Sequence, residues 1–240
     1  MQMDLNSDMG ESFGRYALGN DAQLLPLVTS ANIACGFHAG DPTVVAQTVR
    51  LARAAGVALG AHPGYPDLQG FGRRQMELSA EEVEALVLYQ VGALAAFARA
   101  EGGELTHVKP HGALYNQAAR QPLLAAAIAR AVRRFSPQLV LVGLAGSALV
   151  EAGQQAGLKT AAEGFAERGY NPDGSLMARH QPGALIHDPQ QAALQALRLA
   201  TQGASSNGQH LTVDTICIHG DSPQAVAIAG AVRAALESAG

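Results

Sequence analysis

The sequence predicts an α/β fold, a (β/α) barrel or a distorted relative of one. Three observations predict it. Short β-prone runs recur about seven times, Ala- and Leu-rich helical stretches separate them, and no linker or change of composition breaks the alternation over residues 1–240. Repeated strand-then-helix units give parallel strands with helices packed outside. A doubly wound open sheet is the alternative, but the early GxGxxG turn that would favour its dinucleotide-binding form is missing. One domain is expected.

In chain order the strands are expected at Met3 to Asn6, Ala31 to Ala34, Val57 to Ala61, Thr106 to Lys109, Leu139 to Val142, Lys159 to Glu163 and Thr215 to His219. The helices are expected from about Pro42 to Ala55, Ser79 to Ala100, Pro122 to Arg134, Ser147 to Ala156, Pro189 to Thr201 and Pro223 to Ser238. Ser79 and Glu82 have the spacing of a capping box. Asp41-Pro42, Asp188-Pro189 and Ser222-Pro223 each set a polar N-cap before a proline, whose missing N–H costs nothing in a first turn. Gly56, Gly102, Gly157 and Gly203 close helices. The stretch Ala204 to Gln209 reads as a polar turn.

Composition narrows the function. Apolar residues make up 48 % of the chain and charged residues 15 %, enough for a globular core. A net charge of -4 argues against a nucleic-acid surface. The N-terminal MQMDLNSDMGES lacks the pattern of a signal peptide, and no uninterrupted apolar run of membrane-spanning length is present, so no membrane association is expected. Cys35 and Cys217 are too few for a disulfide framework, and a cytoplasmic protein with reduced thiols is the expectation.

Ligands of parallel α/β folds sit at the carboxyl ends of strands, so the residues there carry the functional argument. Asn6, Asp8 and Glu11 follow the first expected strand. His38 and Asp41 follow the second, on which Asn32 lies. His62, Lys109 with His111, Glu163 with Arg168, and His219 with Asp221 mark later ends. Of eight histidines, four lie at these ends and His107 lies just before one, which converges imidazoles, acids and a lysine on one cleft. His107, His180 and His210 fit structural roles. Glycines beside these loops allow backbone to approach a ligand.

DLNSDMGESFG, NIACGFHAGDP, GAHPGYPD with GFGRR, VKPHGALYN, EGFAERGYNPDGSL and ICIHGD, in this order from residue 3 to about residue 225, resemble the LamB/YcsF family. Glu167 stands before Arg168 where the pattern suggests aspartate, with the charge kept. The resemblance implies a distorted TIM-like, seven-stranded barrel related to the glycoside hydrolase/deacetylase superfamily. It also implies the A subunit of an ATP-dependent 5-oxoprolinase, which opens the lactam of 5-oxo-L-proline to L-glutamate together with subunits B and C, with ATP (and Mg2+) as co-substrate.

The residues suit that chemistry. Asp8, His62 or His111 could act as base, Lys109 could stabilise developing negative charge, and Glu163 completes the catalytic set. Arg74 or Arg168 could grip the substrate carboxylate, with Asn6, Asn32, His38, His219 and Asp221 as further substrate contacts. A Lys109 paired with Asp8 or Glu163 merely to fix the loop is the structural alternative. No GxxxxGK[ST] or other phosphate-cradling loop stands out, so either the nucleotide binds through another strand-end site in this chain or a partner supplies much of its site. Two other functions stay open: a metal-dependent deacetylase or amidase using Asp8, His38, His62 and His111, and a non-catalytic lactam-binding subunit.

Overall fold

The computed structural model describes residues 3–205, 208 and 210–239. Seven parallel strands close a barrel in chain order: β1 (Asp4–Met9), β2 (Ser30–Ala34), β3 (Ala58–His62), β4 (Leu105–Val108), β5 (Val140–Leu144), β6 (Lys159–Phe165) and β7 (Thr215–His219). β7 pairs with β1, Asp8 standing opposite His219. The sequence expectation of a seven-stranded barrel therefore holds, and the open sheet does not. Helices α1 (Asp21–Leu24), α2 (Pro42–Ala54), α3 (Ala80–Ala100), α4 (Gly112–Ala118), α5 (Pro122–Phe135), α6 (Ala148–Gln155), α7 (Pro189–Gln202) and α8 (Ala225–Ser238) cover it.

The helix ends follow from local chemistry. Asp41 accepts from the Thr43 and Val44 amides, Asp188 from Gln191, and Ser79 with Glu82 forms the complete capping box. Gly56, Gly102, Gly157 and Gly203 all adopt positive φ past a helix end. Ser222-Pro223 is the exception. Pro223 sits in a turn, α8 starts two residues later, and Gln224 takes the cap position without a side-chain bond. The sequence reading also missed α1 and α4, which are too short for hydrophobic periodicity to register. The polar turn expected over 204–209 falls partly on residues 206, 207 and 209, outside the described residues.

Helix α3 alone, among the described residues, is long and apolar enough to cross a membrane, which the sequence reading did not anticipate. It is docked instead on the barrel: Val83, Val87, Val91, Leu94 and Ala98 are buried along one face. Gln90 lies among them, and its amide bonds both the N–H and the C=O of Gly64 at 3.0 and 2.9 Å, fixing the loop after β3.

The barrel's lining is unusual. Outward-facing Leu5, Ile33, Leu59, Val108, Leu141, Ile216 and Ile218 form the apolar core under the helices. Many inward positions carry polar residues, Asn6, Asp8, Asn32, His107, Lys109, Glu163, Thr215 and Cys217, all buried, where barrels of this kind ordinarily stack branched aliphatics; Val140 and Val142 of β5 are branched aliphatics among the inward positions. A register shift between Leu59 and Gly60 leaves Thr106 as an extra residue on β4, a bulge that keeps both His107 and Lys109 inward. Gly60 makes room for the imidazole: a Cβ there would lie 1.9 Å from His107 Nε2. His107 Nε2 meets Asn32 Oδ1 at 2.8 Å and its Nδ1 meets the Thr106 hydroxyl at 2.8 Å. The structural role expected for His107 fits this placement.

Two outcomes follow from these contacts. Gln90→Leu keeps the volume and strands the Gly64 amide and carbonyl, so it should lower unfolding stability by about 2–4 kcal/mol; a loss below about 0.5 kcal/mol by denaturant titration would contradict the assignment. Burial pushes His107 down to about 4. The unfolded imidazole binds its proton near pH 6.5, so the unfolded state takes up protons first as pH falls. Stability from this residue is complete above about pH 6.5 and lost towards pH 4; His107→Gln should remove about 2 kcal/mol of the difference between pH 7 and pH 5.

Candidate active site

The floor of the site is an ion cluster inside the barrel. Lys109 follows β4 and turns inward, placing Nζ 2.7 Å from Glu163 Oε1 and 3.0 Å from Asp8 Oδ1. Asn6 Oδ1 and Cys217 Sγ lie 3.2 and 3.1 Å from the same nitrogen. Burial would discharge the lysine, but Asp8, Cys217 and Glu163 outweigh it and hold the ammonium well above its usual range. Burial likewise opposes charge on Asp8, and His62 and Lys109 overcome it, keeping the carboxyl well below the usual carboxylate range. Asn32 donates to Asp8 Oδ1 at 2.9 Å, and the Tyr115 hydroxyl donates to Glu163 Oε2 at 2.6 Å.

A histidine wall stands beside the floor. His62 Nδ1 is 2.7 Å from the Lys109 carbonyl, and His111 Nε2 is 2.8 Å from the Phe71 carbonyl. A carbonyl only accepts, so both of those nitrogens carry hydrogen. The remaining nitrogens, His62 Nε2 and His111 Nδ1, face each other at 2.9 Å. Two neutral rings would oppose lone pairs, so the pair requires a shared proton or a cation between or beside them. Negative charge is at hand: Asp8 Oδ2 lies 3.3 Å from His62 Nε2, and Glu11 Oε1 lies 3.7 Å from His111 Nδ1. Burial, and then Asp8 and Asp221, push Glu11 well above its usual range, while burial and His62 push His111 well below its own.

This arrangement could hold a metal ion. Ligand atoms of Glu11, His38, His62 and His111 lie within 4.8 Å of one another. Anchoring the remote nitrogen on a carbonyl is the support that metal-ligating histidines receive. His38 is fully buried with neither ring nitrogen bonded. Its ring, however, stacks on His111 at 3.8 Å and 4°, so the two in-plane lone pairs cannot aim at one point. Of that group His62, His111 and Glu11 remain, with Asp8 Oδ2 3.3 Å from His62 Nε2 as the neighbouring carboxylate. The sequence reading missed Glu11 in this role.

Above lies a cavity of about 680 Å³. Asp8, His62, Lys109, His111, Arg168 and His219 line it, as the strand-end rule anticipates, and Tyr115, Phe165 and Arg73 line it without having been singled out. His219 Nδ1 is anchored on Glu167, whose carboxylate also accepts from the His219 amide at 3.1 Å. Gly112 brings the β3 and β4 loops together: its φ is +55°, and a Cβ would lie 2.6 Å from the Gly72 carbonyl.

Several expected contacts lie elsewhere. Arg74 is bound to Asp67 within its own loop and its side chain points to solvent; its neighbour Arg73 faces the cavity. Asn6 and Asn32 sit one layer below, where they bond Lys109 and Asp8 rather than a ligand. His38 lies behind His62 and His111, and Glu163 lies beneath Lys109, both fully buried. Asp221 holds Arg73 at 2.6 Å and Arg179 at 3.4 Å. Asp8 and Glu163 belong to strands β1 and β6 themselves rather than to the loops after them.

Known proteins share this architecture. A 5-oxoprolinase A subunit from Tolumonas auensis is 58 % identical over 243 residues, covering 100 % of this chain and 97 % of the relative. One from Pyrococcus furiosus is 52 % identical over 244 residues, covering 100 % and 96 %. The crystal structure of a lactam utilization protein from Thermus thermophilus superposes with a TM-score of 0.94 at 53 % identity, covering 100 % of this chain and 97 % of the other. The model of the LamB/YcsF family matches residues 3–240, and the chain belongs to that family.

Proposed function

We propose that this chain is the A subunit of an ATP-dependent 5-oxoprolinase and opens the lactam of 5-oxo-L-proline to L-glutamate. The observation that carries the reading is the buried Lys109 ammonium, clamped by Asp8 and Glu163 at the floor of a cavity rimmed by His62, His111 and His219. The name shared by the relatives, that of the 5-oxoprolinase A subunit, supports the substrate and the multi-subunit assembly, in which subunits B and C are the partners. The chain works as a single cytoplasmic domain; both of its cysteines are free thiols.

Ring opening joins a water oxygen to the carbonyl carbon, breaks the C–N bond and delivers a proton to the leaving nitrogen. Lys109 faces the carbonyl oxygen, where negative charge develops. Asp8, ionised at neutral pH, and the His62–His111 pair take the proton from water and return one to nitrogen. Glu163 and Tyr115 act through Lys109 as positioning residues. The substrate carboxylate points outward to Arg73, which takes the place of the expected Arg74. ATP, with Mg2+, would transfer its terminal phosphoryl group to the lactam oxygen and leave as ADP; water addition and C–N cleavage then give an acyl phosphate, which a second water converts to the carboxylate and inorganic phosphate, and partner subunits contribute to the nucleotide site.

Glutamate release should require ATP and all three subunits, with this chain alone nearly inactive; robust turnover by the isolated chain would overturn the assignment. In the complex, Lys109→Ala and His111→Ala should each lower kcat by at least about a hundredfold while the variants still assemble. Near-normal kcat in either would remove that residue from the mechanism.

The opposed lone pairs favour a second reading, a metal-dependent amidase. An ion on His62, His111, Asp8 and Glu11 would polarise the lactam carbonyl. Elemental analysis of the dialysed protein separates the two: near-stoichiometric zinc or another transition metal, lost in His62→Ala, supports the ion, and its absence supports the shared proton.

A further inference from the structure

The cavity is larger and more cationic than a small monocarboxylate needs. Its volume of about 680 Å³ falls in the range of sites that enclose drug-sized ligands, and a five-membered lactam leaves much of it empty. Away from the floor, Arg73, Arg120, Arg168 and Arg179 line its outer half. They arrive from three directions: the loop after β3, the turn after α4, and the long excursion between β6 and α7. That excursion folds back on itself through the Arg168–Leu185 and Tyr170–Leu176 bridges.

Their counter-charges fall short. Arg73 and Arg179 share a single oxygen of Asp221. Arg120 donates to Ser175 Oγ at 2.6 Å and lies 4.0 Å from exposed Asp173. Arg168 is only 6 % exposed, donates to the carbonyls of Ala184 and Met177 at 3.2 and 2.6 Å, and has no carboxylate in ion-pair reach among the described residues. Burial and the neighbouring Arg179 lower its pKa to about 10. Four guanidinium groups thus have two carboxylates within ion-pair reach, Asp221 and Asp173, with Glu167 acting on Arg168 from further off, and the substrate's own carboxylate supplies one negative charge more.

We propose that Arg120, Arg168 and Arg179 form an anion subsite in the outer cavity that binds a tetrahedral phosphate group. This rests on the lactam-opening reading, in which phosphate chemistry occurs beside the substrate. Guanidinium groups present paired N–H donors that match phosphate oxygens, and Asn171 and Ser175 line the same wall, bonded to each other and, through Ser175, to Asp173. Two sources share this chemistry: the phosphoryl group of an activated lactam and the terminal phosphates of a nucleotide.

The test is calorimetric titration of the purified chain at low ionic strength with inorganic phosphate, ADP and ATP, with acetate as a monoanion control. Saturable binding of phosphate but not acetate is expected, weakened at least about tenfold in Arg179→Gln. Arg120→Gln, at a largely exposed side chain, is the second variant should the first fail to fold, and it should weaken phosphate in the same direction. Equal affinities for phosphate and ADP would point to the activated lactam, and tighter ADP or ATP to the nucleotide. No saturable phosphate binding, or affinity unchanged in the folded variants, would overturn the subsite. Glutamate release by the full complex, measured in parallel, keeps the two proposals apart. Turnover without phosphate binding sinks the subsite alone, and phosphate binding without turnover sinks the functional reading alone.

Discussion

The ammonium of Lys109 inside a closed barrel is the constraint on which the rest depends. A charge without water must be matched within bonding distance, and removing one partner of such a pair typically costs about 3–5 kcal/mol. Asp8 and Glu163 provide the match, yet two carboxylates overcompensate one lysine. The excess is shared outward, to the Tyr115 hydroxyl on one side and to Asn32, His62 and His219 on the other. Most inward positions that touch this centre are therefore polar, with the Phe165 ring lying 5.5 Å from the Lys109 ammonium. The apolar core that stabilises the fold is displaced to the outer face of the strands, under the helices.

The cavity inherits a gradient from this arrangement. Its floor is buried and carries paired charges, Lys109 against Asp8 and Glu163. The outer wall is cationic and built from loops and one long excursion. A small amphoteric ligand entering it meets different demands at its two ends: the carboxylate is drawn to the arginines, and the carbonyl can reach the floor. Orientation then comes from electrostatics before any close contact forms.

Much of this was legible in the sequence. The strand–helix alternation gave the barrel, because each βα unit carries its own start and stop signals, as at Asp41-Pro42 and Ser79 with Glu82. The strand-end rule found Asp8, His62, Lys109, His111, Arg168 and His219. It could not tell which face a residue would take. Asn6 and Asn32 read as substrate contacts and Glu163 as catalytic because side-chain direction along a strand is not written in its β-prone core; all three point into the barrel below the cavity. Arg73 and Arg74 are adjacent and chemically identical; only the Asp67 carboxylate in the folded loop decides which one faces the cavity. Glu11 looked like an ordinary loop acid until the fold placed it beside three histidines. Tyr115 lies on a helix too short to announce itself.

The fit between Gly60 and His107 has a historical consequence. No side chain, not even a methyl group, can be added at residue 60 while the imidazole occupies its place against β3. Loss of the imidazole would in turn leave Asn32 Oδ1 without its partner, loosening the layer directly beneath Asp8. The two positions can therefore diverge only in a fixed order, residue 107 before residue 60, and only through an intermediate that weakens the support of the floor. Lineages that retain the buried lysine should carry this glycine and histidine as a linked pair, inherited or replaced together.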